Sequence, residues 1–399
     1  MAALTRRPAV RWLVPLGVVC AIALIAAMTA VIRAATSGGP LPGRSATTLV
    51  ADLATTNVTG ISGTVAERAE LGLPALPSGL GGDGSADWTH LISGSHTLRV
   101  WSAGPTMSRV ALLGSLGESD IVRNGADVWT WSSADNAATH LRLPSVGAAM
   151  PGSGSPGVPQ GLPSNLAPLL SRLLPATPQQ AAAEILAALS PTTSVRNAGA
   201  VTVAGRSTYE LVIAPRDTAS LVANIRLDID GTEHVPLRLR VFAKGFATPA
   251  FDIGFTKVSF DRPDASVFRF SPPPGATVTQ VPAPSLKKQS TTPTPDRASA
   301  PNVSVIGSGW TAILAVRGQP PGLPRRYGGT TDTGPGQSDS SPGSSLGAII
   351  QELPTVSGSW GSGRLLTARL LSVLITNDGR VFAGAVAPSA LYAAAASHK

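Results

Sequence analysis

The chain reads as an α+β protein: an antiparallel sheet with a few apolar helices, a small β-rich C-terminal domain, and an N-terminal membrane segment. Three observations predict this. Short runs rich in β-branched and aromatic residues recur between Gly, Ser and Asn turns from residue 96 to residue 143. Residues 224–260 alternate apolar and polar side chains with period two. Two leucine- and alanine-rich segments between residues 164 and 189 carry the helical period instead. With 42 glycines and 35 prolines in 399 residues, regular structure is interrupted often, which argues against a helical bundle.

The first element is an apolar run. Arg6, Arg7 and Arg11 precede a stretch from Trp12 to Ile32 that Arg33 closes. At about 1.5 Å per residue it is long enough for a hydrocarbon core of about 30 Å. The positive-inside rule leaves the arginines in the cytoplasm and residues after Arg33 outside. A cleaved signal peptide is the competing reading, since Ala34, Ala35 and Ser37 follow, but no A-x-A site ends the run. Residues 1–35 are therefore read as cytoplasmic arginines plus anchor or signal, and the rest as extracytoplasmic, or secreted if the segment is cleaved. Cys20 lies inside the run and serves as a small apolar residue.

The remaining elements follow in order. Ser45 caps a short helix that presents Leu49, Val50 and Leu53 on one side. Strands are expected at 96–101, 109–113, 119–123, 127–131 and 140–143, the spacing of a meander. After a Pro/Gly/Ser tract, helices are expected at 164–174 and 181–189, the second opened by a capping box of Thr177 and Gln180 with Pro178 at its first position. A hairpin of 224–230 and 235–241 turns at Asp230-Gly231. The next strand puts Phe251, Ile253 and Phe255 in phase, then Val258 and Phe260, so one face for all five needs a β-bulge near Thr256. Residues 281–301 form a Pro/Thr/Ser linker. The domain at 302–395 is read as one strand over 303–316, a low-complexity loop at 318–347, and a hairpin of 365–376 and 381–386 closed by Asn377-Asp378-Gly379.

Composition and motifs exclude several functions. The chain carries +8 at neutral pH, but beyond Arg33 only 27 bases face 23 acids, with no Lys/Arg block longer than two, so nucleic-acid binding finds no support. A single cysteine rules out an internal disulfide framework. The five histidines, at 90, 96, 140, 234 and 398, form no ligand-spaced cluster, and no phosphate or dinucleotide fingerprint occurs, so no metal or cofactor is expected. Gly343-Ser-Ser345-Leu-Gly347 has the letters of a nucleophile elbow but lies in low complexity rather than between strand and helix. Asp228 and Asp230 fall on the polar side of their strand, where a solvated face explains them. Nothing points to an enzyme.

Two stretches carry a family resemblance. One is Asn124-Gly125-Ala126-Asp127-Val128-Trp129-Thr130-Trp131, a glycine turn followed by alternating aromatics; the other is Phe268-Arg269-Phe270-Ser271-Pro272-Pro273-Pro274-Gly275. Over residues 45–280 the chain resembles the LolA/RseB-like superfamily of bacterial lipoprotein-carrier and envelope-sensor domains. That resemblance implies a half-open antiparallel β-barrel with a helical lid, binding a lipid or an acylated protein in its apolar concave face. It also implies an alternative: an envelope-stress sensor of the RseB kind that binds a membrane partner such as an anti-sigma factor. The candidates for the apolar lining are Leu98, Val100, Val110, Leu112, Trp129, Trp131, Leu211, Ile213, Ile225, Leu227, Ile229, Leu237, Leu239, Val241, Phe251, Ile253 and Phe255. The lid candidates are Leu166, Leu169, Leu170, Leu173, Ile185 and Leu189. The polar gate of such a lid has three competing positions, Arg68, Arg99 and Arg109.

Overall fold

The computed structural model describes residues 41–56, 58–73, 88–115, 117–143, 191–281, 302–317 and 350–398. The apolar run 12–32, both lid helices and the 318–347 loop lie outside these. Among the described residues no helix is long and apolar enough to cross a membrane.

Twelve strands form one open antiparallel sheet that is parallel only at one edge. In chain order they are β1 (Ile61–Ala69), β2 (Gly94–Ser102), β3 (Met107–Leu113), β4 (Glu118–Asn124), β5 (Asp127–Ser132), β6 (Ala137–Arg142), β7 (Thr193–Val203), β8 (Arg206–Pro215), β9 (Val222–Asp230), β10 (Pro236–Ala243), β11 (Phe251–Ser259) and β12 (Thr277–Val281). Their spatial order is β12-β6-β5-β4-β3-β2-β1-β11-β10-β9-β8-β7. Two meanders therefore meet at β1, which pairs with β2 on one side and with β11, far away in sequence, on the other.

The bulge lies where the phase change requires it. Thr64 pairs with Lys257 and Val65 with Phe255, so Thr256 is the extra residue. It keeps Phe255, Val258 and Phe260 together in one apolar cluster with Ile61, Val235 and Leu237. Gly63 sits opposite, where a Cβ would come within 2.2 Å of the Lys257 carbonyl oxygen, so only glycine lets β1 lie this close to the bulged strand.

Cross-strand register sorts the side chains into two faces. The inner face carries Val65, Leu98 and Leu112 from the first meander, then Phe255, Ile253, Leu239, Leu227 and Leu211 from the second. Helix α1 (Ala46–Thr55) lies on this face. Ser45 caps it, its Oγ accepting from the Thr48 N–H at 3.1 Å, and Leu49 is fully buried with Val50, Ala51 and Leu53 against Tyr209, Leu211, Leu227 and Ile229. Side chains pin both ends: the Tyr209 hydroxyl donates to Pro42 O at 2.8 Å, and the Thr56 hydroxyl to His234 O at 2.8 Å.

The segment after β11 crosses the outer face. Phe268, in the 3-10 turn Ala265–Phe268, is buried, and Phe270 lies 5.4 Å from the ring of Trp129 and 6.1 Å from that of Trp131. Asn136 Nδ2 donates to Gly275 O at 3.0 Å, and β12 then pairs in parallel with β6. No strand is expected at β12, because a five-residue run of exposed alternation carries no burial signal.

A second, six-stranded sheet has the order β13-β14-β18-β17-β16-β15, from β13 (Asn302–Ile306), β14 (Ile313–Arg317), β15 (Thr355–Gly358), β16 (Gly361–Thr367), β17 (Ser372–Thr376) and β18 (Arg380–Gly384). The Asn377-Asp378-Gly379 turn joins β17 to β18, with Gly379 in the left-handed region at φ 83°. Two expectations are corrected, and one helix is added. Residues 303–316 are a hairpin and not one strand, because Gly307 and Gly309 adopt φ of 80° and 66° and reverse the chain. Residues 365–376 are two strands, reversed at 368–371 by a turn with no glycine or proline. That turn is held from outside: the Arg369 N–H donates to Leu71 O at 2.7 Å and its guanidinium stacks 4.4 Å from the Phe246 ring. Finally, helix α2 (Pro388–Ser397) covers the sheet with Leu391, Ala394 and Ala395. Its alanine-rich repeat favours helix through propensity, without the amphipathic stripe that sequence reading relies on.

Candidate functional site

The inner face of the long sheet is covered at two places and less so between them. On β7–β9 the cover is α1. On β1–β3 it is the 3-10 segment Trp88–Ile92, whose Trp88 and Leu91 pack on Val65, Leu98 and Leu112. Between the two lies a strip over β10 and β11 where Leu239, Val241, Phe251, Ile253 and Phe255 are only half-buried.

The seventeen lining candidates divide accordingly. Leu211, Leu227 and Ile229 are core beneath α1, and Ile225 is buried beside them. Leu98 and Leu112 are core beneath 88–92, with Val100 and Val110 half-buried at the margin. Leu237 belongs to the cluster at the bulge, and Ile213 packs half-buried against the α1 cluster. The five residues of the strip complete the set of fifteen that share one face. Trp129 and Trp131 do not. Register pairs Trp131 with Asp120, which pairs with Ala111, which pairs with Arg99, all on the outer face. There Trp129 stacks on His140 at 4.1 Å and both tryptophans pack under Phe270. The aromatic alternation fixed their common side but carried no information about which side faced inward.

The three gate arginines also point outward. Arg68 and Arg99 are exposed, and Arg109 donates to Asp120 at 2.8 Å and to Glu118 at 3.3 Å. The buried ionisable pair on the inner side is one that sequence reading missed. Glu67 and His96 face each other across β1 and β2, 2% and 5% exposed, with His96 Nδ1 2.8 Å from Glu67 Oε2. Burial pushes the Glu67 carboxyl up, and the hydrogen bond and charge of His96 draw it part of the way back. Glu67 Oε1 and His96 Nε2 are both buried without a partner. In the sequence this pair is one acid in β1 and one histidine 29 residues later, and only strand register brings them together.

The outer face corrects another expectation. Asp228 and Asp230 are fully buried rather than solvated. Arg240 Nη2 reaches Asp228 at 2.9 Å and Glu210 at 2.7 Å, Arg238 Nε reaches Asp252 at 2.8 Å, and Arg206 pairs with Asp230. Burial raises the Asp228 carboxyl above the ordinary range while Arg240 opposes it. Alternation identifies a polar face but not the arginines of the neighbouring strands that lie over it.

A cleft of about 360 Å3 lies apart from the strip, on the smaller sheet beside Ser304, Arg317, Arg380 and His398. Arg380 there donates to the carbonyls of Ala395, His398 and Trp360 and pairs with Asp378, so its donors are already used. Among the described residues no three of His, Cys, Asp and Glu gather as metal ligands.

No protein-family model matches the chain, and no curated protein matches it. Among solved structures it is similar to the Pseudomonas aeruginosa MucA/MucB complex at 14% identity, covering 88% of this chain and 96% of that chain with a TM-score of 0.40. It is similar to a LolA superfamily protein from Nitrosomonas europaea at 12% identity, covering 57% of this chain and 99% of that chain with a TM-score of 0.20. A putative outer membrane lipoprotein-sorting protein domain from Vibrio parahaemolyticus shares 9% identity over 53% of this chain and 89% of its own, with a TM-score of 0.19.

Proposed function

We propose that the protein is a non-enzymatic, membrane-tethered, extracytoplasmic binder of a lipid or of a lipoprotein acyl chain, which lies along the strip over β10 and β11. The observation that carries this reading is the half-buried apolar row Leu239, Val241, Phe251, Ile253 and Phe255, left between two covers on one face of a bulge-bent sheet. An acyl chain that removes a few hundred Å2 of such surface from water gains roughly 25 cal/mol per Å2 before association costs, enough for reversible carriage. The lid candidates at 164–189 lie outside the described residues.

The test is mass spectrometry of organic extracts from the purified full chain and from a Leu239→Asp variant. The wild type is expected to yield acyl lipid and the variant to lose most of it while keeping its far-UV circular dichroism. Equal lipid in both would falsify the strip as the site.

A second reading, binding of a membrane regulatory protein through the C-terminal sheet, rests on a separate observation. Val303 and Leu314 are 49% and 37% exposed and share an uncovered face with Val305, Val316, Ile375 and Val381. If a stoichiometric membrane protein copurifies and no lipid is extracted, this reading replaces the first.

A further inference from the structure

The Glu67–His96 pair is a buried ionisable pair whose strand neighbours Val65, Leu98 and Ile253 are apolar. Its side chains are 1% exposed, and Glu67 Oε1 and His96 Nε2 find no hydrogen-bond partner. Buried polar atoms are almost always satisfied, so two orphans two strand positions from Val65 and Leu98 need an explanation. Register puts Glu67 opposite Ile253 of the strip. The pair therefore sits beside the surface assigned above to an acyl chain.

Proton counting says what the orphans offer. A net charge on the pair in these surroundings is costly, so the pair is neutral overall and holds two protons. One proton occupies the 2.8 Å bond between Nδ1 and Oε2. The other resides on Nε2 or on Oε1. In either arrangement the two free atoms are one donor and one acceptor. A group that both donates and accepts satisfies them; an ester, which only accepts, does not.

Resting on the reading of the strip as an acyl site, we propose that Glu67 and His96 anchor the polar end of the ligand, and that this end is a neutral donor-acceptor group, an amide or a hydroxyl, attached to the acyl chain. The 3-10 segment Trp88–Ile92, packed on Val65, Leu98 and Leu112 beside the pair, is the cover that the ligand displaces. The strip supplies the affinity and the pair supplies the selection, because leaving either orphan unmet costs a bound ester what an amide recovers.

The experiment uses the full chain, stripped of endogenous lipid and held in CHAPS, which has no acyl chain. Tritiated palmitamide and tritiated methyl palmitate, equal in chain length, are compared by equilibrium dialysis. The expected result is about tenfold tighter binding of the amide by the wild type. The Glu67→Leu/His96→Leu double variant, which leaves neither donor nor acceptor, should bring the preference to within about twofold, with methyl palmitate bound as well as before, which also shows that the strip is intact. Glu67→Gln keeps one donor and one acceptor in the pair and should retain most of the preference. Equal wild-type affinity for both probes overturns the anchor and leaves the acyl site standing, as does a preference that survives the double variant or disappears in Glu67→Gln. Failure to bind either probe overturns the acyl site, and the anchor with it.

Discussion

The two faces of the long sheet bury their side chains by opposite means. On the inner face, Leu211, Leu227 and Ile229 leave water beneath the leucines of α1, and the gain is the transfer of apolar area. On the outer face of the same strands, Glu210, Asp228 and Arg240 leave water together, and their desolvation is offset only because each finds an opposite charge. The difference teaches that burial depth does not identify the side that holds a ligand. Both carboxylate oxygens of the fully buried Asp228 accept from Arg240 Nη2, whereas on the inner side Glu67 Oε1 and His96 Nε2 have no partner.

The comparison can be broken most sharply at Arg240. Replacing it with leucine strands the fully buried Asp228 without its cation and leaves Glu210 only Arg226, 3.5 Å away, and a loss of about 3–5 kcal/mol in urea unfolding at neutral pH is expected. The loss should shrink toward pH 4. Burial already holds the Asp228 carboxyl above its unfolded value, and losing Arg240 raises it further. Over that window the folded chain binds more protons than the unfolded one, so its stability falls as pH rises. A loss that is small and independent of pH would return the outer face to the solvated role expected from alternation.

Next comes the inner face. Leu49→Ala in α1 should cost about 2–4 kcal/mol if the helix is permanent core, as the complete burial of Leu49 and the pinned ends of the helix indicate. A cost under about 1 kcal/mol would make α1 a second displaceable cover. A smaller effect, about 1–2 kcal/mol, is expected for Phe270→Leu, which thins the strap over Trp129 and Trp131. Acyl lipid extracted from this variant should match the wild type, and its loss would put the aromatic face back into the site. The smallest change, about 0.5–1 kcal/mol, is expected for Arg369→Ala, which removes the ring contact with Phe246 and the ion pair with Glu70 while keeping the backbone bond to Leu71. Faster hydrogen exchange confined to the Arg369 turn and its partners would report it.

Much of this architecture is legible from local pattern. The cap at Ser45, all five strands of the first meander, the β9–β10 hairpin, the bulge at Thr256 and the Asn377-Asp378-Gly379 turn each follow from a signal within a few residues. The expected strands omit β1, β7 and β8, and the other features that escape are set by distant partners. The turn at 368–371 depends on Leu71, Glu70 and Phe246, so nothing inside Thr367–Ser372 announces it. Which side Trp129 faces depends on a strap from residues 268–270. The Glu67–His96 pair exists only through the β1–β2 register, and the balance at Asp228 only through β8 and β10. Fifteen of seventeen lining positions fell on one face because period two determines sidedness; the polar pair among them required pairing, which alternation does not encode.

The central position of β1 also sets an order of assembly. Its partner Ser259 follows Ser62 by nearly half the chain, so during synthesis β1 can complete its ladder with β2 long before β11 leaves the ribosome. Until then the first meander stands with a raw edge of unpaired amides and a greasy flank, a template for pairing with another nascent copy. Closure of β11 onto β1 is the slow, topologically distant step, and a chaperone that shields the Ile61–Ala69 edge would protect the protein most during that interval.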